Sequence, residues 1–250
     1  MEDLKEDECV MRPMNCELNQ LSRPDGSTML MQGDTAVIAG VYGPVEGKPQ
    51  KMMFDKASVE VLYSPAKGPP SVDDRVKESI IKETCEAVLL SALHPGTAIC
   101  INVQELQDSG GLLACAINAA CLALISSSIS MKYVIAAVSC MINRDTGELI
   151  IDPDSSQVQQ ARATFTYVFE CINKELVSCW TEGRFSEKEL EESITKCKQA
   201  SQHIFTFYRN IVKQYTGREF PRNPIGARTV IMKLAFSERA IRSRRRKSQK

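Results

Sequence analysis

The chain has 250 residues, equal numbers of basic and acidic side chains (31 of each) and 43% hydrophobic residues. Because the net charge is zero, overall charge gives no support for binding to nucleic acid. A local basic patch is still compatible with this composition. The length allows one large domain with appendages. The first residues, MEDLKEDEC, are acidic and unlike a signal peptide, and we predict that 1–12 is disordered.

The first half of the chain is predicted to alternate strands and turns. Weak alternation over 15–21 ends in the turn sequence SRPDGS, and the strands that follow cover 28–32, 34–42 and 57–63. Gly43-Pro44 is expected to stop the middle one of these three strands. A helix capped by Asp73 or Asp74 should run to about Leu93, with an inner face of Ile80, Ile81, Thr84, Val88 and Ala92.

A glycine pair, Gly110-Gly111, separates the next predicted strand, 97–106, from an apolar run over 112–125. This run is shorter than the roughly 20 residues that a membrane span needs, and it contains Asn118. It therefore predicts a helix buried in the core and no membrane segment.

The second half is predicted to form strands over 133–143, 148–151, 163–170 and 174–180, with a turn at 145–147. The sequence Ser186-Glu187-Lys188-Glu189 is a capping box and opens a helix to about Gln214. Strands grouped around helices in this order predict an α+β (mixed α/β) domain with two sheets and packed helices.

The ten cysteines include no C-x-x-C pair, and the only histidines are His94 and His203, so no zinc-like spacing exists. Most of the cysteines lie in apolar runs. We therefore expect buried, reduced thiols, no metal site and no cofactor. Both histidines are expected to be structural.

Several segments resemble the ribonuclease PH-like family, and they occur in the family's order. QGDTAVIAGVYGP (32–44) resembles its G-x-T-x-V-x-A-x-V-x-G-P strand, and LQDSGGLLACAINAACLAL (106–124) resembles its D-G-G-T-R-T-A strand, turn and helix. The resemblance extends to three further segments. The family has an early segment like NQLSRPDGS, a late acidic strand like LIIDP and a last helix like ASQHIFTFYR. The resemblance implies a ribonuclease PH-like fold of two mixed sheets over 13–214, a disordered acidic N-terminus (1–12) and a basic, disordered tail (215–250).

Members of this family cleave the 3′ end of RNA with phosphate, which a Thr-Arg pair after the glycines helps to hold while carboxylates assist. Here Gly110 and Gly111 remain, but Leu112 and Leu113 stand in place of the Thr-Arg pair. Asp152 matches one family carboxylate, whereas Arg162 falls at the second. The resemblance thus implies a degenerate phosphate loop with no catalytic set, in which Asp152 is the residual candidate. Asp108 and Ser109 are expected to form a turn rather than a metal site.

The resemblance further implies a non-catalytic structural subunit of the RNA exosome ring, which channels RNA to a separate exonuclease. The implied partners are related subunits of a six-membered ring, cap RNA-binding subunits, the catalytic exonuclease and RNA. The implied locations are nucleus, nucleolus and cytoplasm. The alternative is an active nuclease, phosphorolytic or metal-dependent, that acts on RNA or DNA through Asp152 as a homodimer. Whether the isolated chain is a monomer or a homodimer stays open.

The tail carries a basic cluster without interleaved aromatic residues, which consists of Arg242, Arg244, Arg245, Arg246 and Lys247. This cluster is a candidate nucleic-acid contact or nuclear signal. The alternative is a solvated tail without a dedicated role.

Overall fold

The computed structural model describes residues 11–47 and 50–218, so the acidic segment 1–10 and the basic cluster at 242–247 lie outside the described residues. The strands are β1 (Met14–Leu18), β2 (Gly26–Gln32), β3 (Thr35–Glu46), β4 (Ser58–Ser64), β5 (Thr97–Gln107), β6 (Ile135–Asn143), β7 (Leu149–Ile151), β8 (Ala161–Glu170) and β9 (Leu176–Gly183). The helices are α1 (Val72–Val88), α2 (Leu112–Ser126), α3 (Ser155–Val158) and α4 (Glu187–Arg218).

The strands form two sheets, as predicted, and the α+β class is confirmed. The first sheet has the order β1-β2-β3-β5-β4 and is mixed, because β4 runs parallel to β5 while the other pairs are antiparallel. The helix α1 makes the crossover between the two parallel strands, as parallel pairing requires. The second sheet has the order β7-β6-β8-β9, and each of its pairs is antiparallel.

The helix α2 lies at the centre of the core, and its residues from Ala114 to Ile125 are all buried. Its one polar residue in that stretch, Asn118, bonds to the backbone of Ala137 in β6 through both amide atoms, at 2.9 and 2.7 Å. The hydroxyl of Tyr208 in α4 donates to the same amide oxygen at 2.9 Å. Asn118 therefore joins three elements of the core without leaving a buried polar group unpaired.

Several predicted boundaries are wrong. β3 continues through Gly43-Pro44 to Glu46, because the proline lies in a register shift between Tyr42 and Val45 where no ladder N–H is needed. α1 begins after Ser71, whose side chain forms a capping box with Asp74, and it ends at Val88 rather than Leu93.

The end of α1 is set by a tertiary contact that the helical pattern does not reveal. Leu89 pairs with Met131 in an isolated bridge, and Ser91–Leu93 form a short 3-10 helix. The predicted inner residue Ala92 is consequently exposed, while Ile80, Ile81, Thr84 and Val88 are buried as predicted.

The long helix α4 begins at the predicted capping box, since the Ser186 hydroxyl accepts a bond from the Glu189 N–H and Glu189 accepts from the Ser186 N–H. The helix runs past the predicted end at Gln214 to Arg218. Near its end, the Tyr215 hydroxyl accepts a hydrogen bond from the N–H of Leu18 at 2.9 Å, so α4 ends beside β1. No helix in the described part of the chain is both long and apolar enough to cross a membrane.

Candidate functional site: a glycine loop closed by an arginine

The glycine pair lies in the loop that joins β5 to α2. Gly110 and Gly111 have φ values of +97° and +65°, which L-residues with side chains rarely adopt. A Cβ on Gly110 would lie 2.4 Å from the carbonyl oxygen of Pro153, and a Cβ on Gly111 would lie 2.8 Å from the Ser139 hydroxyl. Only glycine therefore allows the loop to pass this close to the segment that follows β7.

Backbone groups of this loop bond to neighbouring side chains. The buried Thr35 hydroxyl donates to the carbonyl of Gly110 at 2.7 Å and accepts from the N–H of Ser109 at 3.2 Å. The carboxylate of Asp108 accepts from the Gly110 N–H at 2.9 Å, which is the turn role expected for it. The loop is thus held by the protein itself on two sides.

Arg12, just before β1, closes the loop on a third side. Its guanidinium donates to the carbonyls of Ser109 and Gly110, each at 3.0 Å. The same group donates to Asp152 at 2.6 Å and to the exposed Asp154 at 3.3 Å. One side chain therefore joins the N-terminal segment, the glycine loop and the end of β7.

Asp152 is buried, with 1% of its side chain exposed. Both of its carboxylate oxygens bond to Arg12, one to the guanidinium and one to the backbone N–H at 3.0 Å. Burial alone lowers the pKa of Arg12, but the hydrogen bond and the charge of Asp152 raise it by more, so the guanidinium stays charged. Asp152 thus lies in a buried ion pair in this structure, which is a more constrained setting than the expected turn before Pro153.

Leu112 and Leu113 form the first turn of α2. Among the described residues, no side chain caps this helix N-terminus, where Gly111 is the N-cap in the left-handed conformation. Leu112 is buried and Leu113 packs partly buried against the core. The backbone geometry that can attract an anion is retained, but the side chains at these two positions are apolar.

The other residues singled out by sequence lie away from this loop or are engaged elsewhere. Arg162, which falls at the position of the second family carboxylate, pairs with Glu189. His94 follows the short 3-10 helix, and its carbonyl accepts a bond from the Thr97 hydroxyl. His203 is exposed on α4. The basic cluster of the tail lies outside the described residues.

The sequence patterns do not identify Arg12 and Thr35 as parts of this loop. Arg12 is separated from Asp152 by 140 residues, so no local spacing reveals the pair. In the sequence, Arg12 is an isolated arginine that follows an acidic segment and precedes Pro13. This local pattern does not indicate which residue Arg12 binds.

The nine cysteines in the described part of the chain are all free thiols. Burial raises the pKa of Cys85, Cys115 and Cys121 to about 12, so these thiols stay protonated and unreactive at neutral pH. Within the same residues, no group of three or more His, Cys, Asp or Glu side chains is placed to hold a metal ion.

The chain is similar to known proteins of one family. Residues 10–130 match the model of the 3′ exoribonuclease family, domain 1. A rice protein named exosome complex exonuclease RRP46 homolog is 32% identical over 220 residues, which cover 82% of this chain and 92% of the relative. The exosome complex component Rrp41 of Archaeoglobus fulgidus is 30% identical over 220 residues, 82% of this chain and 84% of the relative.

Solved structures agree with the sequence comparisons. The crystal structure of rice Rrp46 superimposes with a TM-score of 0.77 and 34% identity, covering 82% of this chain and 96% of that one. The Archaeoglobus fulgidus exosome with RNA bound to its active site has a TM-score of 0.70 at 17% identity, over 80% of this chain and 89% of that chain, and shows a shared fold.

Proposed function

Because the chain belongs to the 3′ exoribonuclease family, we propose that it is a non-catalytic structural subunit of an RNA exosome core ring. It keeps the fold that builds such a ring and has lost the residues that hold phosphate. RNA is channelled past it to a separate exonuclease.

The start of α2 carries this proposal. Phosphorolysis needs a phosphate dianion to be bound as the nucleophile, and a dianion at this helix start would meet Leu112 and Leu113. An apolar side chain offers no hydrogen bond and removes water from the anion. The loss of one charge-assisted contact costs on the order of 2–4 kcal/mol of transition-state stabilisation.

Arg12 does not replace the missing cation. Its guanidinium already donates to two carbonyls and to Asp152, and those bonds hold the glycine loop. A phosphate could recruit Arg12 only by breaking the buried ion pair, which would leave the Asp152 carboxylate without its partner. The charged side chains near the loop therefore stabilise its conformation.

The names of the relatives support the proposed setting. The relatives from rice and Archaeoglobus fulgidus are both named as exosome complex proteins. We propose that this chain is the counterpart of the RRP46 subunit, also called exosome component 5. Its partners are then related ring subunits, cap RNA-binding subunits, the catalytic exonuclease and RNA, in nucleus, nucleolus and cytoplasm. The domain was predicted over 13–214, and we propose that it also includes Arg12 and Tyr215, because Arg12 bonds to Asp152 and Tyr215 bonds to Leu18.

The first test is a degradation assay with 3′-end-labelled RNA and the purified full chain, with and without phosphate and with and without a chelator. We expect no product above a blank in any buffer. Release of nucleoside diphosphate that depends on phosphate would overturn the proposal. Activity that is independent of phosphate and abolished by the chelator would support the hydrolytic alternative, which the word exonuclease in the rice relative's name favours.

The matched control is Asp152→Asn, which keeps the shape of the side chain and removes its charge. Activity that is equal in this variant and the parent chain would identify a contaminating nuclease. The structural role is tested by reconstituting the ring without this chain. We expect such a ring to lose protection of long RNA, and the parent chain to restore it.

A further inference from the structure

The two sheets have four edge strands, and three of them are closed or short. The N–H of Arg12, just before β1, bonds to Asp152, and the N–H of Leu18, the last residue of β1, bonds to the Tyr215 hydroxyl. On β4, the N–H of Tyr63 bonds to the Glu78 carboxylate at 3.0 Å. β7 has only three residues. Closed and short edges are how proteins prevent unwanted strand pairing.

The fourth edge, β9, is long and open. It has eight residues and pairs only with β8 among the described strands. A groove of about 540 Å³ lies between β9 and α1, lined by Val72, Val76 and Ile80 on the helix and by Cys179 and Trp180 on the strand. Val72 is 79% exposed and Trp180 is 38% exposed. A free strand edge that faces a helix across a groove is a geometry that binds an extended segment as an added strand.

Glu83 lines this groove, and Glu182 lies on β9 two residues after the lining residue Trp180. Glu83 on α1 accepts a bond from the Ser79 hydroxyl at 3.3 Å, and Glu182 on β9 accepts one from the Trp180 indole at 3.4 Å. Neither carboxylate forms an ion pair within residues 11–47 and 50–218. Arg75, the cation in the lining, is paired with Glu78. The groove therefore favours an apolar segment that carries positive charge.

The chain itself contains such a segment. The 32 residues after Arg218 hold ten lysines and arginines and two glutamates, so the first 218 residues carry a net charge of −8. Within this tail, RTVIMKLAF (228–236) is apolar and β-branched apart from Arg228 and Lys233. Its nine residues match the eight of β9 in length.

The tail also starts at the correct end of the molecule. α4 ends beside Leu18, and the next residue, Asn19, accepts a bond from the hydroxyl of Ser126 at the end of α2. Lys132, six residues further, donates its N–H to the carbonyl of Val88, the last residue of α1. The ends of α4 and α2 therefore lie near each other, and residues 127–132 connect the end of α2 to the end of α1. The linker 219–227 extends to about 30 Å. The groove begins at Glu83, about 7 Å along α1 from that end.

We propose that segment 228–236 binds in this groove as a strand added to the free edge of β9. Its apolar side chains pack on Val76 and Trp180, and its cations lie against Glu83 and Glu182. The bound tail covers an apolar surface that the described residues leave open.

Cys179 provides the probe, because its thiol is exposed in the groove of the described domain. The experiment measures the rate of Cys179 alkylation by iodoacetamide in the full chain, by mass spectrometry of the modified peptide. We expect Leu234→Asp to raise the rate about tenfold, because a tethered segment protects in proportion to its effective concentration. Gln249→Asp, which adds the same charge outside the segment, should leave the rate unchanged. Equal rates in all three chains would overturn the proposal.

A charge-reversal pair tests the position of the segment. Lys233→Glu should raise the alkylation rate, and Glu83→Lys in the same chain should restore it. Protection that depends on protein concentration and persists in Leu234→Asp would mean that a second copy covers the groove, and it would also overturn the proposal. None of these outcomes depends on RNA cleavage or ring assembly, so the proposed function is tested separately.

Discussion

The glycine loop and the groove between α1 and β9 are two regions of one domain. They differ in whether their charged side chains form ion pairs and in how much of their surface is exposed. At the loop, Arg12 and Asp152 bond to each other and to the backbone, and little of either side chain reaches solvent. At the groove, Glu83 and Glu182 form no ion pair with any described residue, and Val72 and Trp180 are exposed. Breaking a buried ion pair destabilises a fold, whereas a carboxylate without a cationic partner is available to bind a cation.

This difference predicts that substitutions at the loop reduce stability, and that substitutions at the groove leave it nearly unchanged. The largest effect is expected for Asp152→Ala. It leaves the guanidinium of Arg12 partly buried without its main partner, at a cost of about 3–5 kcal/mol in the free energy of unfolding. Urea denaturation measures it.

The matched control is Asp154→Ala. Asp154 also pairs with Arg12, but 59% of its side chain is exposed, so we expect a loss below about 1 kcal/mol. Equal losses for the two variants would contradict the distinction between a buried and an exposed partner of the same arginine.

The next effect is expected for Gly110→Ala. The added Cβ would lie 2.4 Å from a backbone oxygen at a φ of +97°, so the loop must shift, and we expect a loss of about 2–3 kcal/mol. Gly147→Ala is its control, because Gly147 has a φ of +70° and nothing within 4 Å of the added atom. It should cost about 1 kcal/mol. Thermal unfolding measures the stability loss in both variants. A larger loss for Gly110→Ala than for Gly147→Ala would show that close packing of the loop adds to the cost of backbone strain.

A smaller effect concerns pH. The backbone N–H of Ser186, and then Arg162, lower the pKa of Glu189 below its usual value. A carboxylate whose pKa is lower in the folded state contributes stability above its unfolded pKa, about 4.3, and loses it as the pH falls through the folded pKa. Glu189→Gln should therefore lower the melting temperature at pH 7 and make it less sensitive to acid. A parallel decline with pH in parent and variant would refute this assignment.

The smallest effect on stability is expected for Val76→Asp in the groove. Val76 is 37% exposed, so the free energy of unfolding should change by no more than about 0.5 kcal/mol. The same variant should raise the alkylation rate of Cys179, because it places a charge where the tail segment packs. A large loss of stability would show instead that the groove is part of the core.

Local patterns in the sequence identify most of the elements. The alternation in ASVEVLY predicts β4, and the capping box at Ser186 predicts the start of α4. The all-apolar run after Gly111 predicts the central helix, because a helix that is apolar on every side must be buried. The family order of the motifs indicates the fold that the comparisons then show.

Where the predictions are wrong, a distant contact overrides the local pattern. The apolar spacing of α1 continues to Ala92, but the helix ends at Val88 because Leu89 forms a β-bridge with Met131. The strand β3 passes Pro44 because its neighbour β5 accepts a register shift there. Neither partner is marked by anything near it in the sequence.

The candidate site divides in the same way. The sequence by itself determined that Gly110 and Gly111 precede two leucines, and so that no phosphate-binding side chains follow the glycine pair. Only the tertiary structure decided what Asp152 does, because its partner Arg12 lies 140 residues away. It likewise decided that β9 has a free edge facing α1. Residue types and spacing follow from local sequence, whereas which charges are paired and which edges are open depends on chain segments that only folding brings together.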